Sequence, residues 1–366
     1  MTEANEPTDD VDAIEDETEE DLVVAPENYA ISSFGIDFDV EGLVRRLRKE
    51  QIFVPHFQRN FVWKQKEASQ FIESLLLGLP VPGVFLAKER ESERLMIIDG
   101  QQRLKTLQYF YDGFFRPDDH TKKKLVFELV GVQQRFEGLT YERLGDDDRN
   151  RLDNAVLHAT IIKQESPKEE EDTSLYYVFG RLNTGGRKLS PQEIRSAIYH
   201  GSLSDLLERL NQNPTWRKMF GKENERLKDQ ELILRFLALR SGQTYFRPME
   251  EFLNQFAKKN QRASRAFLME AAGHFNTTID AAYGCIGQRA FRSARAVNAA
   301  IFDSVSVGLS RRLDRGPITD AKAAKAAHAA LLRNPTFQVA TGRATSDEAS
   351  VNRRIDLATE AFQDIE

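Results

Sequence analysis

A single cysteine, Cys285, stands in the whole chain. That excludes an internal disulfide and any zinc site built on cysteines. Its setting, Ala-Ala-Tyr-Gly-Cys-Ile-Gly, offers no neighbouring base, so it reads as a buried small residue. No apolar run reaches the roughly 20 residues that span a bilayer. The first residues lack a basic stretch followed by an apolar one, so no signal peptide is read there. No glycine-rich loop ends in Lys-Ser or Lys-Thr, which removes the P-loop enzymes. No repeat period and no sustained heptad is found. These absences point to a soluble protein of a reducing, cytoplasmic compartment, with no membrane partner.

Lysine and arginine are missing from Met1–Glu27, which holds 12 acidic residues. The rest carries 45 acids against 51 bases, so the formal charge of -6 conceals a basic body. A modest basic excess of this kind suits nucleic-acid binding without establishing it. Residues 1–28 read as an acidic disordered tail. Two roles stand for it: a solubilising extension, or a polyanion that competes with nucleic acid for a basic groove. A length of 366 residues with 40% hydrophobic content implies two or three core-forming units, and 24 phenylalanines allow large ones.

What is present is organised around Ile97-Ile98-Asp99-Gly100-Gln101-Gln102-Arg103-Leu104. An apolar run ends at Asp99, Gly100 permits a tight turn, and a helical pattern begins at once. The first turn of a helix offers unpaired backbone N–H groups and a positive dipole, and Arg103 beside them makes an anion pocket. The plainer reading is that Asp99 caps the helix and the glutamines are solvated.

Upstream, Ile31–Phe38 reads as a strand and Val40–Lys49 as a short amphipathic helix. Phe57-Gln58-Arg59-Asn60-Phe61-Val62-Trp63 sets a polar pair among aromatics, where an unpaired guanidinium is costly. Lys66–Leu77 reads as a helix ended by Gly78. Val84–Ala87 and Leu95–Ile98 read as strands around a charged turn. Downstream, Lys124–Val132 and Ala155–Ile162 read as strands, Asp146–Asp153 as a helix, and Leu175–Leu182 as helical. A second glycine loop, Asn183-Thr184-Gly185-Gly186, is followed by a helix start with Ser190 as N-cap, Pro191 in the first turn and Glu193 completing a capping box. Beyond Gly201 strand signals nearly vanish. Seven helices are read, at 203–210, 229–240, 248–258, 262–272, 296–313, 319–333 and 347–362. The organisation is thus a domain at 29–201 and an all-helical domain at 202–366. Basic residues recur between Arg217 and Arg315, some of them suited to a phosphate-contacting face.

Three motifs in order, Phe57-Gln58-Arg59 with Phe61-Val62-Trp63, Asp99–Arg103, and Asn183–Gly186 with Leu189-Ser190, Glu193 and Arg195, resemble the N-terminal domain of the GmrSD restriction proteins, a family that also includes the phosphorothioate-sensing defence protein SspE. The resemblance spans roughly Ile31–Gly201. It implies an α+β fold, with a ParB/sulfiredoxin-like N-terminal domain before the all-α domain. It implies binding and hydrolysis of a nucleoside triphosphate, contact with DNA, and a place in bacterial anti-phage defence. Carried over, Asp99, Gln101, Gln102 and Arg103 are the catalytic set. Arg103 holds phosphate, the glutamines orient phosphate or an attacking water, and Asp99 orients the arginine or a Mg2+ ion. Gln58, Arg59, Gly100, Lys105, Thr106, Asn183, Thr184 and Arg195 are carried over as nucleotide-binding positions. Many relatives add an HNH-type nuclease, which needs histidines around a metal. The helical half here has only His274 and His328, without such a partner set. DNA cleavage is then left to a partner nuclease, and the alternative is a non-catalytic module gated by nucleotide or DNA. The expectation that joins these readings is geometric: Arg59 and Arg103 converge on one concave spot.

Overall fold

The computed structural model describes residues 14–15, 31–54, 61–89, 93–116, 125–164, 178, 180, 189–292, 296–342 and 345–366. The fold is mixed, with helices dominating and one small central sheet. The chain packs as two compact units, residues 25–189 and residues 190–366, the latter including the short strand β1 (Ile14–Glu15).

The first unit is built on a five-stranded mixed sheet. Its strands are β2 (Ile31–Asp39), β3 (Ile52–Phe53), β4 (Val84–Lys88), β5 (Leu95–Asp99) and β8 (Val156–Gln164), in the order β2-β8-β4-β5-β3. β2–β8 and β4–β5 are antiparallel, while β4–β8 and β3–β5 are parallel. β4 and β5 are inner strands, which is why Val84, Leu86, Ala87, Met96, Ile97 and Ile98 form near-continuous apolar runs rather than alternating ones. Helices α1 (Val40–Arg48), α2 (Gln65–Leu76) and α3 (Gln101–Asp112) bury Leu43, Val44, Phe71, Ile72, Leu104 and Leu107 in the same core. Asp39 caps α1 by accepting from the Gly42 N–H.

The expected strand at Lys124–Val132 shrinks to β7 (Leu125–Val126), which pairs with β6 (Phe114–Phe115) just after α3. The chain turns away because the Glu137 carboxylate accepts from the N–H groups of Gly131 and Val132, closing a loop where a strand needs ladder partners. Phe127 instead stacks edge-on against Phe110 and Phe115. Helix α4 (Asp146–Asp153) follows. Its Asp153 accepts from the hydroxyls of Tyr111 at 2.6 Å and Tyr141 at 3.0 Å. Burial and the Asp153 carboxylate push both phenols up, Tyr141 to about 12, so both act as donors: Tyr111 fastens α4 to α3, and Tyr141 fastens it to the turn at Tyr141–Arg143.

The second unit is helical. It contains α5 (Pro191–Ile198), α6 (Ser202–Asn211), α7 (Pro214–Phe220), α8 (Lys228–Arg240), α9 (Met249–Lys259), α10 (Arg265–Ala281), α11 (Ala299–Leu313), α12 (Ala321–Arg333), α13 (Pro335–Gly342) and α14 (Glu348–Phe362). The strand β9 (Val297–Asn298) precedes α11 and pairs with β1. Helices α8 and α11 are buried on nearly every side, and their polar residues Arg235 and Asp303 are buried with them. A Cβ on Gly308 would come within 2.8 Å of the Ala358 carbonyl, so only glycine lets α11 and α14 cross this closely. Buried Asp303 holds the guanidiniums of Arg235 at 2.6 Å and Arg354 at 2.9 Å.

The helix read at 203–210 is α6, which leads straight into α7, whose Trp216 is fully buried. Asn213 starts α7 by accepting from Thr215 and Trp216 N–H groups. The helix read at 262–272 runs on to Ala281 and ends in a one-turn π-helix at Ala282–Ile286. Cys285 sits on that turn and is half-exposed, not buried, because the wider turn pushes its residues outward from the helix axis.

Candidate functional site at the β5–α3 turn

Asp99 ends β5 and Gln101 opens α3, with Gly100 alone between them. Gly100 has φ +98, and a Cβ there would lie 2.4 Å from Val84 Cγ1. Glycine is therefore required twice, for the left-handed backbone and for the close approach to β4. Gly100 is itself the N-cap residue and supplies no side chain. Asp99 does not cap the helix. Its carboxylate takes the Arg103 Nη2 at 2.7 Å, one helical turn on.

Arg103 is bonded to three oxygens. Besides Asp99, its Nη1 donates to the Pro82 carbonyl at 2.8 Å and the Gly83 carbonyl at 2.6 Å. Its side chain is 14% exposed, that of Asp99 37%. The guanidinium thus binds the start of β4 to the start of α3. Gln102 Oε1 accepts from the N–H groups of Val62 at 2.9 Å and Trp63 at 3.2 Å. It tethers the chain that directly follows Gln58 and Arg59. Gln101 and Lys105 are half-buried on the first turns of α3, and Thr106 is fully buried.

Gln58 and Arg59 lie outside the described residues, as do Asn183, Thr184 and most of the helix read at 175–182. The convergence of Arg59 with Arg103 is therefore not visible. Arg195 belongs to the helical unit, where it is 2% exposed. Its Nε donates to Asn254 Oδ1 at 2.9 Å, and its Nη1 donates to Gln192 Oε1 and, at 3.3 Å, to Glu231 Oε2. Ser190 and Glu193 form the expected capping box: the Ser190 hydroxyl accepts from the Glu193 N–H at 3.2 Å and the carboxylate accepts from the Ser190 N–H at 2.6 Å.

The backbone anchors at Pro82, Gly83, Val62 and Trp63 escape sequence reasoning, since carbonyl and N–H groups carry no residue signature. The only hint was the Pro80-Val81-Pro82 bend, which directs the chain toward the turn. Among the described residues no group of three or more His, Cys, Asp or Glu side chains gathers around one point. Asp99 is the one carboxylate within the Asp99–Arg103 motif, the minimum that a Mg2+ ion carried on a triphosphate uses. Among the described helices none is long and apolar enough to cross a membrane.

Residues 40–200 match the family described as the GmrSD restriction endonuclease, N-terminal domain. This segment is a GmrSD-type N-terminal domain. The match brackets the β5–α3 turn and runs through Ser190 to the end of α5, so the GmrSD-type segment includes the first helix that packs in the helical unit. An uncharacterized protein from Methanocaldococcus jannaschii is 31% identical to this chain, across 31% of this chain and 22% of that protein. The chain thus corresponds to about a fifth of that relative's length.

Proposed function

We propose that the protein binds a nucleoside triphosphate at the β5–α3 turn, hydrolyses it, and contacts DNA as part of bacterial anti-phage defence, on a ParB/sulfiredoxin-like scaffold. The observation that carries this reading is Arg103, fixed by Asp99 at 2.7 Å beside the N-terminus of α3 within the GmrSD-type segment. A guanidinium held at a helix start is a preorganised phosphate receptor, because the helix N–H groups and the cation act on the same oxygens. Gln102 supports the reading by tying the segment after Gln58 and Arg59 to that same helix.

Phosphoryl transfer needs mostly positioning and charge neutralisation. Arg103 and Arg59 would take the phosphate charge, and Gln101 would orient an attacking water. Asp99 keeps Arg103 in place and would meet Mg2+ on the triphosphate, which adds charge neutralisation when bound. Lys105 and Gly100 complete the turn. Asn183 and Thr184 would close a further part of the nucleotide site.

One observation favours the second reading, a non-catalytic module gated by nucleotide and acting with a partner nuclease. Arg103 already holds three oxygens through Nη1 and Nη2, which leaves its Nε–H and one Nη2–H, so an arriving phosphate contests the same guanidinium charge with Asp99. Such a contest changes the anchorage of β4 and is suited to signalling. The test is multiple-turnover phosphate release from ATP, GTP and CTP, with and without Mg2+ and DNA. Wild type is compared with Arg103→Lys and Asp99→Asn. Release that depends on both residues supports hydrolysis. Nucleotide binding without release, lost in Arg103→Lys, supports the gated module. Full release by both variants removes the turn from the reaction.

A further inference from the structure

The helical unit carries a cationic face with a strand already laid beside it. β1 pairs in parallel with β9, Ile14 against Val297 and Glu15 against Asn298. β9 is fastened in turn to the segment before it, the Asn298 N–H donating to the Phe291 carbonyl at 2.9 Å. Cations collect around that segment. Arg292 Nη2 donates to the Met219 and Phe220 carbonyls at 2.8 and 3.2 Å, which places it at the end of α7. Gln288 Nε2 donates to the Lys218 carbonyl at 2.8 Å. Lys218 Nζ lies 5.7 Å from the centre of the Tyr283 ring. Burial and then the neighbouring charge of Arg289 lower the pKa of Arg292, so the two guanidiniums share one region. Lys218, Arg289 and Tyr283 are exposed. Exposed cations beside an exposed ring are the chemistry that receives a phosphate backbone.

The strand on this face opens the densest acidic run of the chain. From Glu15 to Asp21, six of seven residues are acidic: Glu15, Asp16, Glu17, Glu19, Glu20 and Asp21. We infer that the acidic N-terminal segment docks on the cationic face of Lys218 and Arg289 through the β1–β9 pair and competes there with a nucleic-acid backbone. The inference rests on the DNA contact proposed above. A two-residue strand pair is a weak tether, and charges on an exposed face are screened by salt. A nucleic acid that releases its own counterions therefore displaces the segment rather than being shut out.

The test uses the full chain and a full-length variant carrying Glu15→Gln, Asp16→Asn, Glu17→Gln, Glu19→Gln, Glu20→Gln and Asp21→Asn. Binding of a short labelled DNA duplex is followed by fluorescence anisotropy. The variant is expected to bind about tenfold more tightly at ~50 mM salt, with the gap closing by ~200 mM. A free peptide of residues 10–24 should displace the duplex from the variant. Lys218→Glu with Arg289→Glu should weaken peptide and duplex together. Equal duplex affinity of the two proteins at both salts overturns the inference. If the duplex binds but the peptide does not, the inference falls and the DNA contact stands. If the peptide binds but neither protein takes the duplex, the DNA contact falls and the competition with it.

Discussion

The two units set arginine in opposite surroundings. In the unit of residues 25–189, Arg103 sits at a turn, paired with a carboxylate that is 37% exposed. In the helical unit, Arg235 and Arg354 are enclosed around a single Asp303, all three nearly or wholly without solvent contact. A guanidinium at a turn can exchange its partner for a phosphate at small cost. A guanidinium in a core cannot, because removing its partner strands a charge in a medium that solvates it poorly. The difference separates an arginine at a partly exposed turn from arginines that hold helices together.

The chain has two tryptophans, one per unit, so the comparison can be read optically. In a Trp63→Phe background, Trp216 reports the helical unit; in a Trp216→Phe background, Trp63 reports the other. The largest effect is expected from Asp303→Ala, which leaves Arg235 and Arg354 unpaired and should cost about 3–5 kcal/mol in urea unfolding followed through Trp216. A loss below 1 kcal/mol there would erase the contrast between the two settings. Gly100→Ala comes next. Its left-handed backbone and the 2.4 Å clash with Val84 should cost about 1–3 kcal/mol, read through Trp63. An unchanged midpoint would mean that the β5–α3 turn is loosely held.

Ser190→Ala removes the cap of α5 and should cost about 1 kcal/mol, while Ser190→Thr should restore most of it. The smallest effect is a pH dependence. His328 lies buried with its Nε2 on the Ala290 carbonyl at 2.8 Å, and burial lowers its pKa below the usual histidine value. Below about pH 6.5 the unfolded chain therefore binds a proton that the folded chain resists, so stability is full above that pH and falls as the pH drops. His328→Gln should flatten the loss between pH 7 and pH 5 in thermal melts. An identical slope in both proteins would show that other groups carry it.

The β5–α3 turn was legible because its signals are local: an apolar run, one glycine, then a helical period. The Ser190–Glu193 box was legible for the same reason, since a cap and its reciprocal carboxylate are three residues apart. The reading of Asp99 as a cap failed because Arg103 stands one turn away on the same side of α3 and outcompetes a backbone N–H for a carboxylate. The strand read at Lys124–Val132 came out as the short β7 because Glu137 closes a loop that no alternation pattern records. Helix α7 was missed because seven residues give too little periodicity, and the half-exposure of Cys285 follows from a π-turn without a compositional mark.

Sequence by itself determined the elements and their ends, since side-chain period, caps and glycines act within a few residues. It also determined that the acidic run and the basic body are separate in the chain. Only the tertiary structure decided which arginines are enclosed and which stand at a turn, and that β1 lies along β9. Those outcomes depend on groups far apart in sequence, many of them backbone carbonyls and N–H groups that every residue carries alike.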